Sequence, residues 1–344
     1  MGAQTVVLDP LMSEADANEM LRICESFGPY GLYVVETSET EFAPELAQRI
    51  DAARNYVRTG GRFGRDEPAR TLALRTNYLR ETYAYGQELY VDGIEQFRSH
   101  TALVEAAREL YDRPVIEPAI VYANLLLPGQ ELAVHTDVPE FRGANRKIIP
   151  QWMLVVMHHS GLFEQWRMPI ATGIAYFSPE GFEPVGGELA YYPAGPGGDV
   201  RLFEAHHNSA MVLDTDSVFH GVDRVGAADS EPFAIAPGNV LTFDGGTRWS
   251  IRPDARSDDR LLELSWSDLR FSVSWKAYCF ADEQERAAWR AHTDDLSIER
   301  ILDVLLGDLR SRRALGAAER PSDQELALLL IDTYEHYPAP QPAS

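Results

Sequence analysis

The sequence predicts an α+β protein with a mainly β core, a sandwich or jelly roll, flanked by helices at both ends. Two observations lead to this fold class. From about residue 118 to 280 the chain has many short runs rich in Val, Tyr, Phe and Leu, separated by Pro and Gly, which is typical of a sandwich or jelly roll rather than a parallel α/β sheet. Before and after this stretch, apolar residues recur at helical spacing.

The region before the core, residues 1–117, is predicted to be helical or mixed and to pack on the core. Ser13-Glu14-Ala15-Asp16 is typical of a capping box, so a helix is expected to follow it. Residues 31–36 predict a strand and residues 60–70 a loop. Helical periodicity predicts amphipathic helices over 44–57 and 101–111.

The core, residues 118–280, is expected to consist of strands over 119–127, 131–137, 151–159, 187–193, 200–205, 209–214, 239–245, 261–266 and 270–275. Segment 160–185 is expected to interrupt the strand pattern, and Gly186-Gly187 is expected to form a turn. After the core, residues 281–337 predict helices over 283–292, 296–310 and 322–335, the last with a capping box at Ser322–Glu325. The tail, residues 338–344, is expected to be disordered.

The charge of the chain limits its partners. With 31 basic and 53 acidic residues, the net charge is −22, which argues against nucleic acid or an anionic membrane surface as a partner. The two cysteines, Cys24 and Cys279, are far apart and predict no disulfide framework or zinc site. No apolar run approaches the roughly 18 residues of a membrane span, and no signal peptide is recognisable, so a cytoplasmic location is expected.

A candidate metal site lies in the second predicted strand. His135 and Asp137 are two positions apart, and side chains at this spacing on a strand point to the same face. Completed by a distant histidine, they form the 2-His-1-carboxylate arrangement that is typical of non-haem Fe(II) oxygenases. His220, which follows a predicted strand and precedes Gly221, is the candidate third ligand. The alternative is an exposed strand edge or a buried hydrogen-bonded pair.

Together these motifs resemble the Fe(II)/2-oxoglutarate-dependent dioxygenases, and in particular the prolyl-hydroxylase branch. The resemblance covers roughly residues 118–280 and depends on His135-Thr136-Asp137, Gly186–Leu189, the stretch 209–225 around His220, and Arg270-Phe271-Ser272. It implies a double-stranded β-helix that binds Fe(II) and uses 2-oxoglutarate as co-substrate.

The resemblance also implies roles for residues around the metal. Arg270, assisted by Ser272, would pair with the far carboxylate of 2-oxoglutarate, a task suited to the planar guanidinium. Arg224, four residues after His220, is the alternative anchor, because an anchor at Arg270 requires 226–262 to be an insertion. Tyr122 and Asn124 share one face of a strand that, in the family, often supplies a polar contact to 2-oxoglutarate.

The expected function is therefore an oxidation by O₂. Because Asp137 is present, the resemblance implies hydroxylation or another oxidative outcome and not halogenation. The substrate is expected to be a small molecule or an amino-acid-like compound, with release of succinate and CO₂. Two alternatives remain open: a jelly-roll binding or sensor protein without turnover, and a cupin-like metalloenzyme that does not use 2-oxoglutarate.

Two segments are candidates for the substrate pocket. Loop 138–150 carries Arg142, Arg146 and Lys147 next to the candidate metal site, so it could close over an anionic substrate; a solvated loop is the alternative. Segment 160–185 could build another wall, which makes Trp166 and Arg167 candidates.

Overall fold

The computed structural model describes residues 5–33, 49–316 and 321–341. Within these ranges the helices are α1 (Glu14–Phe27), α2 (Ile50–Thr59), α3 (Ala69–Arg75), α4 (Ile94–Arg98), α5 (Thr101–Tyr111), α6 (Gln151–Ser160), α7 (Glu283–Arg290), α8 (Ile298–Ser311) and α9 (Asp323–Tyr334). No helix in these ranges is both long enough and apolar enough to cross a membrane.

The strands in the same ranges are β1 (Thr5–Leu8), β2 (Tyr30–Gly31), β3 (Leu79–Tyr85), β4 (Glu88–Leu89), β5 (Val115–Leu126), β6 (Leu132–His135), β7 (Glu140–Phe141), β8 (Arg167–Met168), β9 (Ile170–Tyr176), β10 (Leu189–Tyr192), β11 (Arg201–Phe203), β12 (Ser209–Leu213), β13 (Phe219–Val222), β14 (Val240–Gly245), β15 (Arg248–Arg252), β16 (Leu262–Ser265) and β17 (Arg270–Phe280).

Two antiparallel sheets form the centre of the protein. The larger has the order β1-β12-β9-β17-β5-β3-β4, and the smaller has the order β11-β10-β13-β6. Apolar side chains from both sheets meet in one buried cluster, including Ile174 of β9, Met211 of β12 and Leu189 of β10. The sheets therefore pack face to face, and residues that alternate along each strand point either into this interlayer space or away from it.

Segment 226–262, expected to be an insertion, contributes most of a third sheet with the order β16-β15-β14-β2. Its inner face buries Trp249 beside Trp266, with ring centroids 5.2 Å apart. These rings belong to the main hydrophobic cluster, so the extra sheet shares the core of the larger sheet.

The strand predicted over 151–159 is wrong, because these residues form helix α6. An unbroken apolar run has no period, and a helix buried on all sides gives the same run as a buried strand. Residues 151–157 are buried, and Trp152, Met153 and Val156 belong to an apolar cluster that also contains side chains of α8 and α9.

The expectation that 160–185 interrupts the strand pattern is also wrong in part, because β9 lies within it and pairs with both β12 and β17. Its sequence, IATGIAY, contains Gly173 and small residues that weakened the strand signal. A Cβ at position 173 would lie 3.0 Å from Leu103 Cδ2, so the glycine allows α5 to approach the sheet closely.

The N-terminal region contributes more strands than predicted, since β1, β3 and β4 all belong to the larger sheet. The strand predicted over 31–36 is described only to residue 33, where β2 and a bridge between Leu32 and Leu79 occur. The helix predicted over 44–57 begins at Ile50, and residues 44–48 lie outside the described ranges.

Part of the tail contacts the rest of the chain where it is described. Pro338 is buried, and the backbone N–H of Gln341 donates to the carbonyl of Arg62 at 2.7 Å. Proline has few conformations to lose and an apolar ring to bury, so a proline-rich end can pack without regular structure. Residues 342–344 lie outside the described ranges.

Ser322 caps α9, as the sequence predicts: its hydroxyl accepts from the backbone of Glu325, while the Glu325 side chain accepts from the backbone of Ser322. We expect Ser322→Ala to lower the free energy of unfolding by about 1 kcal/mol, because an N-terminal donor of the helix loses its acceptor. Urea denaturation measures this loss. Ser322→Asp keeps an acceptor and should retain most of the stability; equal losses in both variants would contradict the capping role.

Candidate metal centre and adjoining cavities

The two candidate histidine ligands lie on neighbouring strands. In the antiparallel pair of β6 and β13, His135 is directly opposite His220. Their ring centroids are 4.5 Å apart, as expected for cross-strand neighbours on one face. The strand register thus explains how two residues distant in sequence present their imidazoles to the same point.

Asp137 completes the group from just beyond the end of β6. Its backbone N–H donates to the carbonyl of Thr215 at 2.8 Å, which fixes the chain after the strand. Its Oδ1 lies 3.5 Å from His135 Nε2 and 3.9 Å from His220 Nε2. One potential ligand atom from each residue lies within 4.8 Å of the others, and no second group of this kind occurs in the described ranges.

Both imidazoles are oriented by the backbone. His135 Nδ1 lies 2.7 Å from the carbonyl of Ala133, and His220 Nδ1 lies 2.9 Å from that of Val218. A carbonyl only accepts, so each Nδ1 carries the proton and each Nε2 keeps a free lone pair facing Asp137. Burial lowers the pKa of His220 to about 4, so this ring is neutral near pH 7.

Lys276 holds the other oxygen of the carboxylate. Its Nζ donates to Asp137 Oδ2 at 2.7 Å, which leaves Oδ1 on the histidine side. Burial by itself would raise the pKa of Asp137, but Lys276 and the two imidazoles outweigh it and hold the pKa well below its ordinary value. The group therefore offers two imidazole nitrogens and one ionised carboxylate oxygen, a ligand set that suits a divalent metal such as Fe(II).

A row of polar residues extends from this group along the inner face of the larger sheet. Alternation along β17 places Arg270, Ser272 and Ser274 on the same face as Lys276. Asn124 of β5 is opposite Ser272, and Tyr122 is opposite Ser274. With His135, Asp137 and His220, these residues line a cavity of about 60 Å³ between the sheets.

Arg270 is a buried cation without a counter-ion. It is 2% exposed; its Nε donates to the carbonyl of Gly187 at 2.5 Å, and its terminal nitrogens lie 3.3 Å from Ser272 Oγ and Tyr176 Oη. No carboxylate in the described ranges forms an ion pair with it, and burial lowers its pKa. A buried charge held only by neutral groups is costly, so this position favours an anion.

Gly186 and Gly187 both have positive φ, +69° and +75°, and Gly186 forms an isolated bridge with Val225. A Cβ at position 187 would lie 2.7 Å from Arg270 Cδ. The glycine is therefore required both for the backbone conformation and for the space that the arginine side chain occupies.

Arg224, the alternative anchor, lines neither this cavity nor the larger cavity described below. Its guanidinium lies 3.3 Å from a carboxylate oxygen of Glu67 and 3.6 Å from one of Glu131, and it donates to the carbonyl of Ala228. Arg224 therefore belongs to a structural ion cluster, and its charge already has partners.

A larger, more open cavity of about 770 Å³ begins at the metal group, from which His135 and Asp137 line it, and Lys276 lines it beside them. Arg146 and Lys147 of the basic loop line this cavity, whereas Arg142 turns away and bonds to the carbonyl of Gln165 and to Asp294. Two of the three cations of the loop therefore lie in the wall of the larger cavity.

The prediction that Trp166 and Arg167 of segment 160–185 line the substrate pocket is wrong. Trp166 is buried in the helical cluster, and Arg167 pairs with Asp214 at 2.7 Å. Neither lines the larger cavity, because the segment continues into β8 and β9 instead of forming an irregular wall.

The sequence reasoning missed two residues that face the candidate site. Lys276 has a readable signal, since a lysine at an inward position of the strand RFSVSWKAYCF is unusual. Arg80 lines both cavities; its guanidinium carbon lies 4.1 Å from the ring centroids of Tyr33 and Tyr122, and its Nε donates to Asn124 Oδ1. Only the pairing of β3 with β5 reveals its position, and the sequence does not specify that pairing.

Comparisons with known proteins found no matching family model and no matching curated protein. Among solved structures, the chain is similar to the non-haem α-ketoglutarate-dependent epimerase SnoN from nogalamycin biosynthesis, with 9% identity, 81% of this chain and 79% of that chain covered, and a TM-score of 0.41. A prolyl hydroxylase from Trichoplax adhaerens matches with 11% identity, 83% and 86% coverage, and a TM-score of 0.39.

HygX from Streptomyces hygroscopicus, solved with nickel, 2-oxoglutarate and hygromycin B, matches with 8% identity, 81% and 83% coverage, and a TM-score of 0.37. At these identities, the roles of individual residues depend on the geometry of this chain alone.

Proposed function

We propose that the protein is an Fe(II)- and 2-oxoglutarate-dependent dioxygenase that oxidises a small molecule bound in the larger cavity. The observation that carries the proposal is the convergence of His135, Asp137 and His220 at one end of a polar wall that also contains Arg270, a buried cation without a counter-ion. This wall offers a metal site and an anion site in a single interlayer space.

The strand order supports a double-stranded β-helix as the scaffold. Taken in chain order, β5, β6, β9, β10, β11, β12, β13 and β17 alternate between the larger and the smaller sheet, except that β10 and β11 both lie in the smaller. Such alternation is what a jelly roll with two Greek keys requires. In this scaffold both histidines belong to the smaller sheet, and the proposed co-substrate anchor belongs to the larger.

The residues present suit the proposed metal. His135 and His220 would bind Fe(II) through Nε2, and Asp137 through Oδ1, because these atoms are the ones left without another partner by the backbone carbonyls and by Lys276. When bound, Fe(II) supplies the activation of O₂ that is coupled to decarboxylation of 2-oxoglutarate. Overall, one oxygen atom enters succinate and the other enters the substrate, with release of CO₂.

The co-substrate would lie in the space between the sheets. Arg270 is suited to the far carboxylate of 2-oxoglutarate, with Ser272 beside it as a hydroxyl donor. Tyr122 and Asn124 lie on the same wall and offer further polar contacts. The buried surroundings exclude water from these charged groups and so strengthen their interaction with a carboxylate.

Succinate formation tests the proposed activity. Protein purified anaerobically, loaded with Fe(II) and given 2-oxoglutarate and O₂, should form succinate slowly even without substrate. Metal binding without any succinate would favour one of the two alternatives, a jelly-roll binding or sensor protein that keeps the site without turnover, or a cupin-like metalloenzyme that does not use 2-oxoglutarate.

Arg270→Ala should raise the 2-oxoglutarate concentration for half-maximal succinate formation by roughly 10- to 100-fold, because charge-assisted hydrogen bonds to the far carboxylate are lost. Iron binding should be unchanged, since Arg270 contacts none of the three proposed ligands. Steady-state kinetics at several 2-oxoglutarate concentrations, together with an iron titration, measure the two effects.

Arg224→Ala is the matched comparison, because it removes the other buried arginine that the sequence made a candidate. It should lower thermal stability by breaking the contacts with Glu67 and Glu131, but leave the 2-oxoglutarate requirement unchanged when assayed below its unfolding temperature. An increased requirement in Arg224→Ala, but not in Arg270→Ala, would show that the anchor is misassigned.

A further inference from the structure

We infer that the larger cavity binds a small organic anion, whose carboxylate or similar oxyanion is held by Arg146 and Arg80 and whose apolar part lies against tyrosine rings. The identification of this anion as the substrate rests on the proposed function, whereas the binding of the anion in the cavity does not depend on that function. The proposal depends on the charges in the cavity, on the partners those charges lack, and on the apolar wall.

The cavity is basic in a protein of net charge −22. Its lining contains two acidic residues, Glu81 and Asp137, and five basic residues, Arg49, Arg80, Arg146, Lys147 and Lys276. Two of the cations are already neutralised, since Arg49 pairs with Asp51 and Lys276 with Asp137, both at 2.7 Å. The excess positive charge therefore comes from the other three.

Arg146 has no partner in the described part of the chain. It is partly buried in the cavity wall, and it makes no hydrogen bond or ion pair with a described residue. Glu140 influences its charge only from beyond ion-pair distance, and the Glu140 carboxylate accepts a hydrogen bond from Tyr278 at 2.7 Å. Five N–H donors of Arg146 are thus available to a ligand oxygen.

Arg80 is held in place by aromatic rings. Its guanidinium carbon lies 4.1 Å from the centroids of both Tyr33 and Tyr122, and its Nε donates to Asn124. Its terminal nitrogens make no hydrogen bond with a described residue, although they are positioned by this stacking. A guanidinium fixed in this way loses little conformational entropy when it binds an oxyanion in two-point fashion.

Much of the remaining wall is apolar or aromatic, which indicates the other half of the ligand. Leu32, Tyr78, Tyr85, Ile120, Leu132 and Val138 line the same cavity. A volume of about 770 Å³ is in the range of sites for small molecules with tens of atoms. An inorganic ion would leave most of this surface uncovered, so the cavity favours an anion that carries an apolar body.

The test compares each acid with its uncharged analogue. Benzoate, 3-phenylpropionate and 4-phenylbutyrate, and their three amides, are titrated into the full-length protein under anaerobic conditions, and binding is measured by calorimetry and ligand-observed NMR. We expect at least one acid to bind more tightly than its amide. If no acid binds more tightly than its amide, the proposal is overturned.

Two variants of the basic loop locate the binding charge. Arg146→Gln should weaken binding of the preferred acid by roughly 10- to 100-fold, because charge-assisted hydrogen bonds are lost, and leave binding of its amide unchanged. The unchanged amide shows that the cavity is still folded. Arg142 lies in the same loop but outside the cavity, so Arg142→Gln removes the same charge and should change neither the affinity for the acid nor the affinity for its amide. Equal weakening in both variants overturns the proposal.

The acid must also be distinguished from a ligand of the inner cavity. Saturating 2-oxoglutarate should leave the affinity for the acid unchanged, since the proposed anchors differ. Displacement by 2-oxoglutarate together with loss of binding in Arg270→Ala would place the acid at Arg270 and overturn the assignment to Arg146. Succinate formation is scored separately, so acid binding without succinate would contradict the enzymatic proposal and leave the anion site standing.

Discussion

His220→Ala is expected to lower the affinity for Fe(II) by more than about 100-fold and to abolish succinate formation. Loss of an outer partner of a metal ligand already costs about 10- to 100-fold in affinity, and loss of a ligand should cost more. The imidazole is 4% exposed, and its Nε2 faces Asp137, so no solvent-exposed group can easily replace it. Anaerobic titration with Co(II) or Fe(II) against a chelator measures the affinity.

His206→Ala is the control for this substitution. His206 is exposed and pairs with Asp9 at 3.1 Å, far from the proposed ligands in the fold. Its replacement should leave the metal affinity unchanged. Full retention of metal by His220→Ala would exclude the proposed metal centre, whereas equal loss in both variants would indicate a general histidine effect or misfolding.

Trp275→Ala is expected to be the most destabilising of the substitutions considered, with a loss of about 3–5 kcal/mol in the free energy of unfolding. Trp275 is fully buried in the main core, and its indole N–H donates to the carbonyl of Arg98 at 2.7 Å. The substitution creates a cavity and leaves that carbonyl without its donor. Chemical denaturation and the thermal midpoint measure the loss.

Trp289→Ala provides the matched comparison. Trp289 is only partly buried, on α7, where its ring lies 4.8 Å from that of Tyr278 and 5.4 Å from that of Phe280. Trp289→Ala should lower the free energy of unfolding by well under half as much as Trp275→Ala, because less buried apolar surface is lost and solvent can fill the space. Similar losses in the two variants would show that burial does not determine the stability of this part of the fold.

Much of the β core can be predicted from sequence because its strands are short, rich in β-branched and aromatic residues, and separated by turn residues. The failure at α6 has a clear physical cause: an apolar run reports burial and not periodicity. Helix α6 is buried along its first seven residues, so its sequence is indistinguishable from that of a buried strand. Strand β9 is missed for a different reason: close packing at Gly173 selects small residues, which are poor strand formers and weaken the strand pattern.

The candidate metal site can be predicted more fully than the cavity around it. His135 and Asp137 are near neighbours in sequence, so their spacing alone places them together. The residues that flank His220 indicate that it is the third ligand. Arg146 is a candidate from sequence because its loop directly follows the metal motif, but the sequence does not separate it from Arg142, which lies outside the cavity. Arg80 enters the larger cavity only through the pairing of β3 with β5, which no local pattern encodes.

The ion pair between Lys276 and Asp137 joins the two layers of the sandwich, since Lys276 belongs to the larger sheet and Asp137 follows a strand of the smaller one. The same carboxylate would also hold a divalent ion bound by both histidines, so that ion would strengthen the connection between the two sheets. Its occupancy would be coupled to folding: at an ion concentration 100 times the dissociation constant, the folded state would gain about 2.7 kcal/mol. The iron supply of the cell would then influence the lifetime of the folded protein as well as its catalytic activity.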